Sequence, residues 1–146
     1  MTDFNKAVRA WLSECPAIRE DRLYYGFLTA GDGNQVFQTV EHTTAREDIC
    51  GNEIGKYSFA VIDFRALTKL PLSYTAEDLD RAASVEQINA WIKAQRKTRN
   101  FPAFDGCVID GITVPPAPVF AGQEKSEGMS LAKYMIQVVI DYTKFN

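Results

Sequence analysis

The sequence is poor in the residues that usually carry catalysis or bind metal ions. It contains one histidine, His42, and three cysteines, Cys15, Cys50 and Cys107, that lie far apart in the chain. Because a structural zinc site needs four cysteine or histidine ligands at short paired spacings, the composition argues against one. A catalytic triad would have to use His42 as its base, and no spacing places a nucleophile beside it. We interpret His42 as a surface residue at a strand end.

Long apolar runs and a strong charge imbalance are also missing. No stretch approaches the roughly 20 apolar residues that cross a bilayer, and Asp3 and Lys6 interrupt any apolar leader. The net charge of -3 lacks the basic excess that is typical of nucleic-acid-binding proteins. An odd number of cysteines without a leader predicts reduced thiols in a cytosol. With 46% hydrophobic residues, residues 1–146 are expected to form one folded domain.

Two glycine- or carboxylate-rich segments resemble ligand-binding motifs only superficially. Gly31-Asp32-Gly33 lacks the third glycine and the following helix of a dinucleotide-binding loop. The carboxylates of Glu77, Asp78 and Asp80 could in principle bind Mg²⁺ or Ca²⁺, but they do not match a calcium-binding loop and suit a solvated loop. We therefore predict no catalytic, cofactor-binding or metal-binding residue and no enzyme activity.

A basic run beside aromatic residues is the one feature that could bind nucleic acid. Its members are Lys93, Arg96, Lys97 and Arg99, with the aromatic residues Trp91, Phe101 and Phe104. Aromatic rings beside cations grip single strands, but cations also suit the C-terminal end of a helix. We favour the helix end, and expect no sequence-specific nucleic-acid binding.

Apolar residues at helical spacing predict two helices. The first covers residues 3–15, with Thr2 or Asp3 as its cap and Pro16 ending it. The second covers about residues 83–98, where Ser84 and Gln87 have the capping-box spacing, and Asn100 to Pro102 ends it. Its apolar face consists of Val85, Ile88, Trp91 and Ile92. The polar run from Pro71 to Asp80 is expected to be a connection.

The strands of the first half are predicted from β-branched and aromatic runs. Residues 23–28 and 36–40 flank the turn-forming segment 30–34, which predicts a β-hairpin. Residues 43–56 are polar and contain two glycines, which indicates a surface loop or ragged edge. Residues 57–67 form the strongest interior strand, because residues 59–62 are apolar at successive positions.

The second half ends in the clearest strand of the sequence. Residues 107–114 read as a strand that bends at Asp110-Gly111, with a minimal hairpin as the alternative. Three prolines at 115, 116 and 118 exclude a central ladder position after it. Residues 121–128 are polar and predict a turn. Residues 131–142 then alternate between apolar and more polar positions with a period of two.

The resulting order is α-β-β-β-α-β-β, an α+β domain with a mostly antiparallel sheet packed with two main helices. We expect the core to contain Phe59, Val61, Trp91, Ile136, Val138 and Ile140. If Trp91 is buried there, truncating it to alanine should cost about 3–5 kcal/mol.

Three segments of the last third occur in a characteristic order. Residues 91–95 read Trp-Ile-Lys-Ala-Gln, residues 100–102 read Asn-Phe-Pro, and residues 132–142 read Ala-Lys-Tyr-Met-Ile-Gln-Val-Val-Ile-Asp-Tyr. A helix, a break and a final strand of this form resemble the tail-terminator and minor tail or minor capsid proteins of long-tailed bacteriophages and their prophages. The resemblance follows the whole chain in order, but only this third in detail.

The resemblance implies a structural virion protein that needs no cofactor. Such a subunit forms a homo-oligomeric ring, typically a hexamer, that caps the tail tube, ends its polymerisation and offers the surface that docks to the head. Its partners would be the tail tube protein and the head–tail connector or completion protein. It would be assembled in the bacterial host cytoplasm and lie at the head-proximal end of the tail. We expect inter-subunit contacts in residues 43–56 and 115–128.

Two alternatives remain open from the sequence. The chain could be a head-completion, connector or tail-tube subunit of the same virion. It could also be a cytosolic module that binds a small ligand, which a deep pocket with convergent polar groups and perturbed pKa values would favour.

Overall fold

The computed structural model describes residues 3–18, 23–25, 35–66, 76–126 and 129–145. The described chain forms two helices and six strands in an α+β arrangement. In chain order these are α1 (Phe4–Leu12), β1 (Leu23–Tyr25), β2 (Gln35–Glu47), β3 (Glu53–Ala66), α2 (Ala76–Thr98), β4 (Cys107–Thr113), β5 (Val119–Ser126) and β6 (Met129–Lys144). Within these ranges no helix is long and apolar enough to cross a membrane.

The strand β6 is the centre of the sheet. It pairs antiparallel with β3 along most of its length, from Glu53↔Lys144 to Ala66↔Leu131. Its other side pairs with β4 through residues 139–144 and with β5 through residues 129–135. The order across the sheet is therefore β1-β2-β3-β6-β4, with β5 continuing the β4 side. The sequence prediction of β6, including its two-residue alternation, is confirmed.

Both helices pack on one face of the sheet and bury one main core. The buried side chains include Val8, Trp11, Leu12, Val85, Ile88 and Ile92 from the helices, and Phe37, Phe59, Val61, Ile136, Val138 and Ile140 from the strands. A smaller cluster of Val36, Ile62, Phe64 and Leu131 is buried on the opposite face. Five of the six predicted core residues are buried, but Trp91 is only half-buried. Trp11, whose side chain is 2% exposed, is the deeply buried tryptophan.

The predicted hairpin between the first two strands is wrong. The strands β1 and β2 run parallel, with Leu23 opposite Gln35 and Tyr25 opposite Phe37. The connecting residues 26–34 lie outside the described residues. Turn-forming composition alone does not fix the direction of the next strand.

Three further boundaries differ from the sequence predictions. Residues 43–56 are mostly strand, since β2 and β3 pair as far as Glu47↔Glu53 with bulges near positions 40 and 45. Their polarity reflects exposure at the sheet margin. Residues 121–126 belong to β5, a polar strand that pairs with β6. The helix α2 begins at Ala76, so Ser84 lies inside it and is no cap. Acidic residues suit the first turn of a helix as well as a loop, because the N-terminal end of a helix carries a partial positive charge.

The ends of the helices follow the local sequence. The Asp3 carboxylate accepts a hydrogen bond from the Lys6 N–H, which confirms Asp3 as the cap of α1. The helix ends at Leu12, before Pro16: Ser13 still donates its N–H to the Arg9 carbonyl, whereas Glu14 and Cys15 donate to the carbonyls three residues before them, in tighter turns. The helix α2 ends at Thr98, where Arg99 takes a left-handed φ of 56°, so the predicted break at residues 100–102 is confirmed.

Candidate functional site

A pocket opens between the start of α1 and the face of β2 and β3. Its volume is about 840 Å³, and it is open to solvent. The lining consists of Asp3, Phe4, Asn5, Tyr25, Thr39, His42, Tyr57 and Lys144. The sequence prediction named only His42 among these as a possible functional residue. The antiparallel register places His42 opposite Tyr57, and the start of α1 adds Asp3, Phe4 and Asn5.

A closed network of hydrogen bonds forms the floor of this pocket. Asn5 Oδ1 accepts from Thr39 Oγ1 at 2.7 Å and from the Tyr57 hydroxyl. Asn5 Nδ2 donates to the Tyr25 hydroxyl at 2.8 Å. Because the Thr39 proton points to Asn5, the Tyr25 hydroxyl is the donor to Thr39 Oγ1 across 3.1 Å. Four side chains from α1, β1, β2 and β3 thus hold one another in place.

Tyr57 is the most perturbed titratable group of the pocket. Burial raises the pKa of Tyr57 to about 12. The phenol therefore stays protonated at neutral pH and acts as a hydrogen-bond donor. A general base needs a pKa near the working pH, so Tyr57 suits ligand binding or structural support better than proton abstraction.

His42 is exposed, as predicted, but it lies within β2 rather than at a strand end. Its Nε2 is 2.7 Å from the Tyr142 hydroxyl, and Phe4 contacts the imidazole edge-on with ring centroids 4.5 Å apart. Partial burial lowers the pKa of His42, so the ring is neutral at pH 7. Burial also raises the pKa of Tyr142. The neutral imidazole accepts the Tyr142 proton when its own proton is on Nδ1, so the pair is a hydrogen-bonded latch.

A glycine makes room for this latch. Gly55 lies opposite Tyr142 in the sheet, and the Tyr142 ring leans across it toward His42. A Cβ atom at position 55 would be 2.6 Å from the Tyr142 hydroxyl oxygen and 2.8 Å from the Thr43 carbonyl oxygen. Such distances are too short for any side chain, so only glycine fits beneath the ring as it lies.

The three cysteines are free thiols in separate places. Cys15 is buried, Cys50 is exposed and Cys107 is intermediate. Burial raises the pKa of both Cys15 and Cys107, which keeps them protonated, whereas an activated nucleophile needs a lowered pKa. The His42 ring is hydrogen-bonded to the Tyr142 hydroxyl rather than to one of these thiols.

The remaining sequence motifs are placed as follows. Gly31-Asp32-Gly33 lies outside the described residues, and Glu77, Asp78 and Asp80 lie in the first turns of α2 rather than in a loop. Among the described residues, no group of three or more histidine, cysteine or acidic side chains is positioned to hold a metal ion.

The basic run lies at the C-terminal end of α2, as predicted. Two of its three neighbouring aromatic rings serve the core, since Phe104 is buried and Trp91 packs on Trp11 with centroids 5.1 Å apart. The Arg99 guanidinium lies over the Phe101 ring at 5.1 Å. The rings therefore do not form one continuous platform on which successive bases could stack.

Sequence reasoning missed Asn5, Tyr25, Thr39 and Tyr57 as members of the pocket and Tyr142 as the partner of His42. Tyr57 and Tyr142 carried a usable signal, because both sit on the inward-facing positions of strands and tyrosine needs a polar partner when buried. Asn5 carried none, since its role depends on how α1 lies against the sheet. No protein-family model matches the chain, and no curated protein sequence matches it.

Proposed function

We propose that this chain is a structural virion subunit that forms a ring on the phage tail tube. In this role the ring ends tail polymerisation and offers the surface to which the head docks. The proposal combines the resemblance of residues 91–142 with an architecture that can present contacts on two sides. Its partners would be copies of itself, the tail tube protein and the connector.

The observation that carries the proposal is the position of β6. The final strand of the resemblance is the strand to which β3, β4 and β5 all bind, and the Trp91 helix packs on the same sheet. The residues that carry the resemblance are therefore the residues that organise the fold. A likeness confined to a peripheral segment would say little about the role of the subunit.

The margins of the sheet also suit assembly. In the described part of the chain, β2 beyond Phe37 pairs only with β3, and β4 and β5 pair only with β6. Exposed large apolar side chains lie on these margins, namely Tyr24, Tyr25, Val40, Val108, Val119 and Phe120. Unpaired strand edges with apolar side chains favour pairing with another chain. Two different edges give a heterologous contact, which closes into a ring when the rotation permits.

The first test is the mass of the purified protein in solution across a concentration series, read together with negative-stain images. A closed ring near six subunits is the expected result. If the protein stays monomeric, purified tail tubes from the phage that encodes it should be added, and rings are then expected at one end of each tube. A protein that is monomeric alone and absent from tubes would contradict the proposal.

Removing the protein separates the terminator from its virion alternatives. Without a terminator, tube polymerisation has no stop, so tails of uncontrolled length should accumulate. Loss of a tail-tube subunit should instead leave no tails. Loss of a head-completion or connector subunit should leave tails of normal length that do not join heads. Electron microscopy of lysates distinguishes the three outcomes.

A second candidate function is the binding of a small polar ligand in the His42 pocket. It is favoured by the volume of about 840 Å³ and by the raised pKa of Tyr57. A screen of amino acids, sugars and nucleotides by NMR should then shift the His42 and Tyr57 resonances, with Thr39→Val weakening the effect. Shifts that are absent for every compound would leave the pocket as a structural feature.

A further inference from the structure

Two oppositely charged side chains line the His42 pocket without pairing with each other. Asp3 at the start of α1 and Lys144 at the end of β6 both belong to the lining. Within the described part of the chain no ion pair joins them. The pocket therefore keeps a carboxylate and an ammonium group apart, each facing the same solvent-filled space.

Each of these charged groups keeps bonding capacity for a ligand. Asp3 Oδ1 accepts from the Lys6 N–H at 3.0 Å, and the second carboxylate oxygen is not needed for this helix cap. Lys144 lies opposite Glu53 in the sheet, yet among the described residues the two side chains form no ion pair. Because both Asp3 and Lys144 are exposed, a ligand in the pocket can reach both charges.

The neutral groups of the pocket add hydrogen-bond donors. His42 Nε2 is bonded to the Tyr142 hydroxyl, and in the part of the chain that the structure describes no group bonds with Nδ1, which carries the proton when Nε2 accepts. Asn5 Nδ2 gives one of its two protons to the Tyr25 hydroxyl, so the other remains. The Tyr57 hydroxyl proton is already used by Asn5. The remaining donors, together with Lys144, suit a carboxylate.

Aromatic rings connect the two charged ends of the pocket. The Phe4 ring, which follows Asp3 in the chain, lies 4.5 Å from the His42 ring and 5.1 Å from the Tyr142 ring between centroids. Lys144 lies two positions after Tyr142, so both side chains are on the same face of β6. The volume of about 840 Å³ falls in the range of small-ligand sites. An aromatic group of a ligand can therefore pack between the two charges.

We infer that the pocket binds a small zwitterion with an aromatic side chain, either an amino acid or a dipeptide. Its ammonium group pairs with Asp3, its carboxylate accepts from Lys144 and His42 Nδ1–H, and its ring packs on Phe4. A simple anion would meet the Asp3 carboxylate and a simple cation would meet the Lys144 ammonium, so the pocket selects against both. The inference rests on the second candidate function, ligand binding in this pocket, and names the ligand class.

NMR titration of the whole protein with chemically blocked ligands tests this class. The probes are L-phenylalanine and glycyl-L-phenylalanine, each compared with its N-acetylated form, which lacks the ammonium, and its carboxyamide, which lacks the carboxylate. Both zwitterions should give saturable shifts of the His42 and Tyr57 resonances. Each blocked form should bind about tenfold more weakly, because it loses one charge-assisted hydrogen bond. The tighter of the two zwitterions identifies the spacing of charges that the pocket accepts.

Charge-removing variants assign each end of the ligand to one side chain. Lys144→Gln should weaken zwitterion binding about tenfold and leave the binding of the carboxyamide unchanged. Asp3→Asn should weaken zwitterion binding to the same degree and leave the binding of the N-acetylated form unchanged. Asparagine caps a helix as well as aspartate does, so α1 stays capped in this variant. The matched control is Lys97→Gln, which removes the same charge from an exposed lysine of α2 outside the pocket.

The pattern of binding decides between the inference and the function on which it rests. Blocked forms that bind as tightly as the zwitterions would overturn the inference, as would zwitterion binding that Lys144→Gln and Asp3→Asn leave unchanged. A sugar or nucleotide that binds where the zwitterions do not would overturn the inference and leave ligand binding in the pocket intact. If no compound binds, the inference and the second candidate function both fail. The ring is tested separately, by the mass of the protein in solution.

Discussion

The indole of Trp11 should be the costliest single side chain to remove from this fold. It is 2% exposed, it packs edge-on against Phe59 and tilted against Trp91, and its Nε1 donates to the Asn100 carbonyl at 2.8 Å. Truncating a buried tryptophan to alanine costs about 3–5 kcal/mol. Since domains of this size unfold with about 5–15 kcal/mol, Trp11→Ala should remove a large share of the stability.

The contribution of the hydrogen bond can be separated from that of packing. Trp11→Phe keeps an aromatic ring but leaves the Asn100 carbonyl without its indole donor, which should cost about 1–3 kcal/mol in addition to the packing loss. Trp91→Ala should cost only about 1–2 kcal/mol, because part of the Trp91 ring is already in water. This lowers the sequence-based expectation for Trp91, which assumed full burial.

Urea unfolding followed by far-ultraviolet circular dichroism measures these costs without relying on tryptophan fluorescence. An unchanged m-value would show that each variant exposes as much surface on unfolding as the wild type does. The double variant Trp11→Ala/Trp91→Ala should show a coupling free energy of about 0.5–1.5 kcal/mol between the two indole rings. A cost below about 1 kcal/mol for Trp11→Ala, or a larger cost for Trp91→Ala, would refute the packing described here.

Three other predictions concern the latch and the turn. Gly55→Ala should destabilise the protein by about 1–3 kcal/mol, because the new Cβ meets the Tyr142 ring. The loss of stability should be smaller in a Tyr142→Ala background. Equal losses in both backgrounds would exclude a clash with the Tyr142 ring. The lowered pKa of His42 means that the unfolded state binds the proton first, so stability should be constant above pH 6.5 and fall below it. His42→Gln should flatten that acid limb in urea unfolding, and an unchanged slope would assign it to other groups. Asp48→Ala should loosen the turn between β2 and β3, because Asp48 Oδ1 accepts from the N–H groups of Cys50 and Asn52, and hydrogen exchange of those two amides should accelerate.

The parts of the fold that the sequence predicted are those with one buried face. The strand β6 could be recognised because alternate residues face the core, and the apolar face of α2 because Val85, Ile88 and Ile92 return every three or four positions. Elements at the sheet margin lack such a contrast. The polar strand β5 therefore looked like a turn, and the end of β2 looked like a loop.

Chain direction and the pocket depended on long-range packing. The sequence between β1 and β2 contains turn-forming residues, but their presence does not distinguish an antiparallel return from a parallel one. The pocket arises where α1 places Asn5 over Thr39 and Tyr57, and no local pattern fixes that docking. His42 was recognised as a residue of interest, but its partner Tyr142 lies a hundred positions away in sequence.

The central position of β6 has a consequence for synthesis on the ribosome. The strand β3 pairs with β6 through partners as distant as Glu53 and Lys144, and β4 and β5 also pair with β6. A nascent chain that has emerged only through β5 holds its strands without their common neighbour, so their edges stay open to other chains. Such long-range pairing folds slowly, in milliseconds to seconds. The chain would therefore be most prone to aggregate just before residues 129–144 leave the exit tunnel, and chaperone depletion should reduce its soluble yield more than that of a helical protein of equal length.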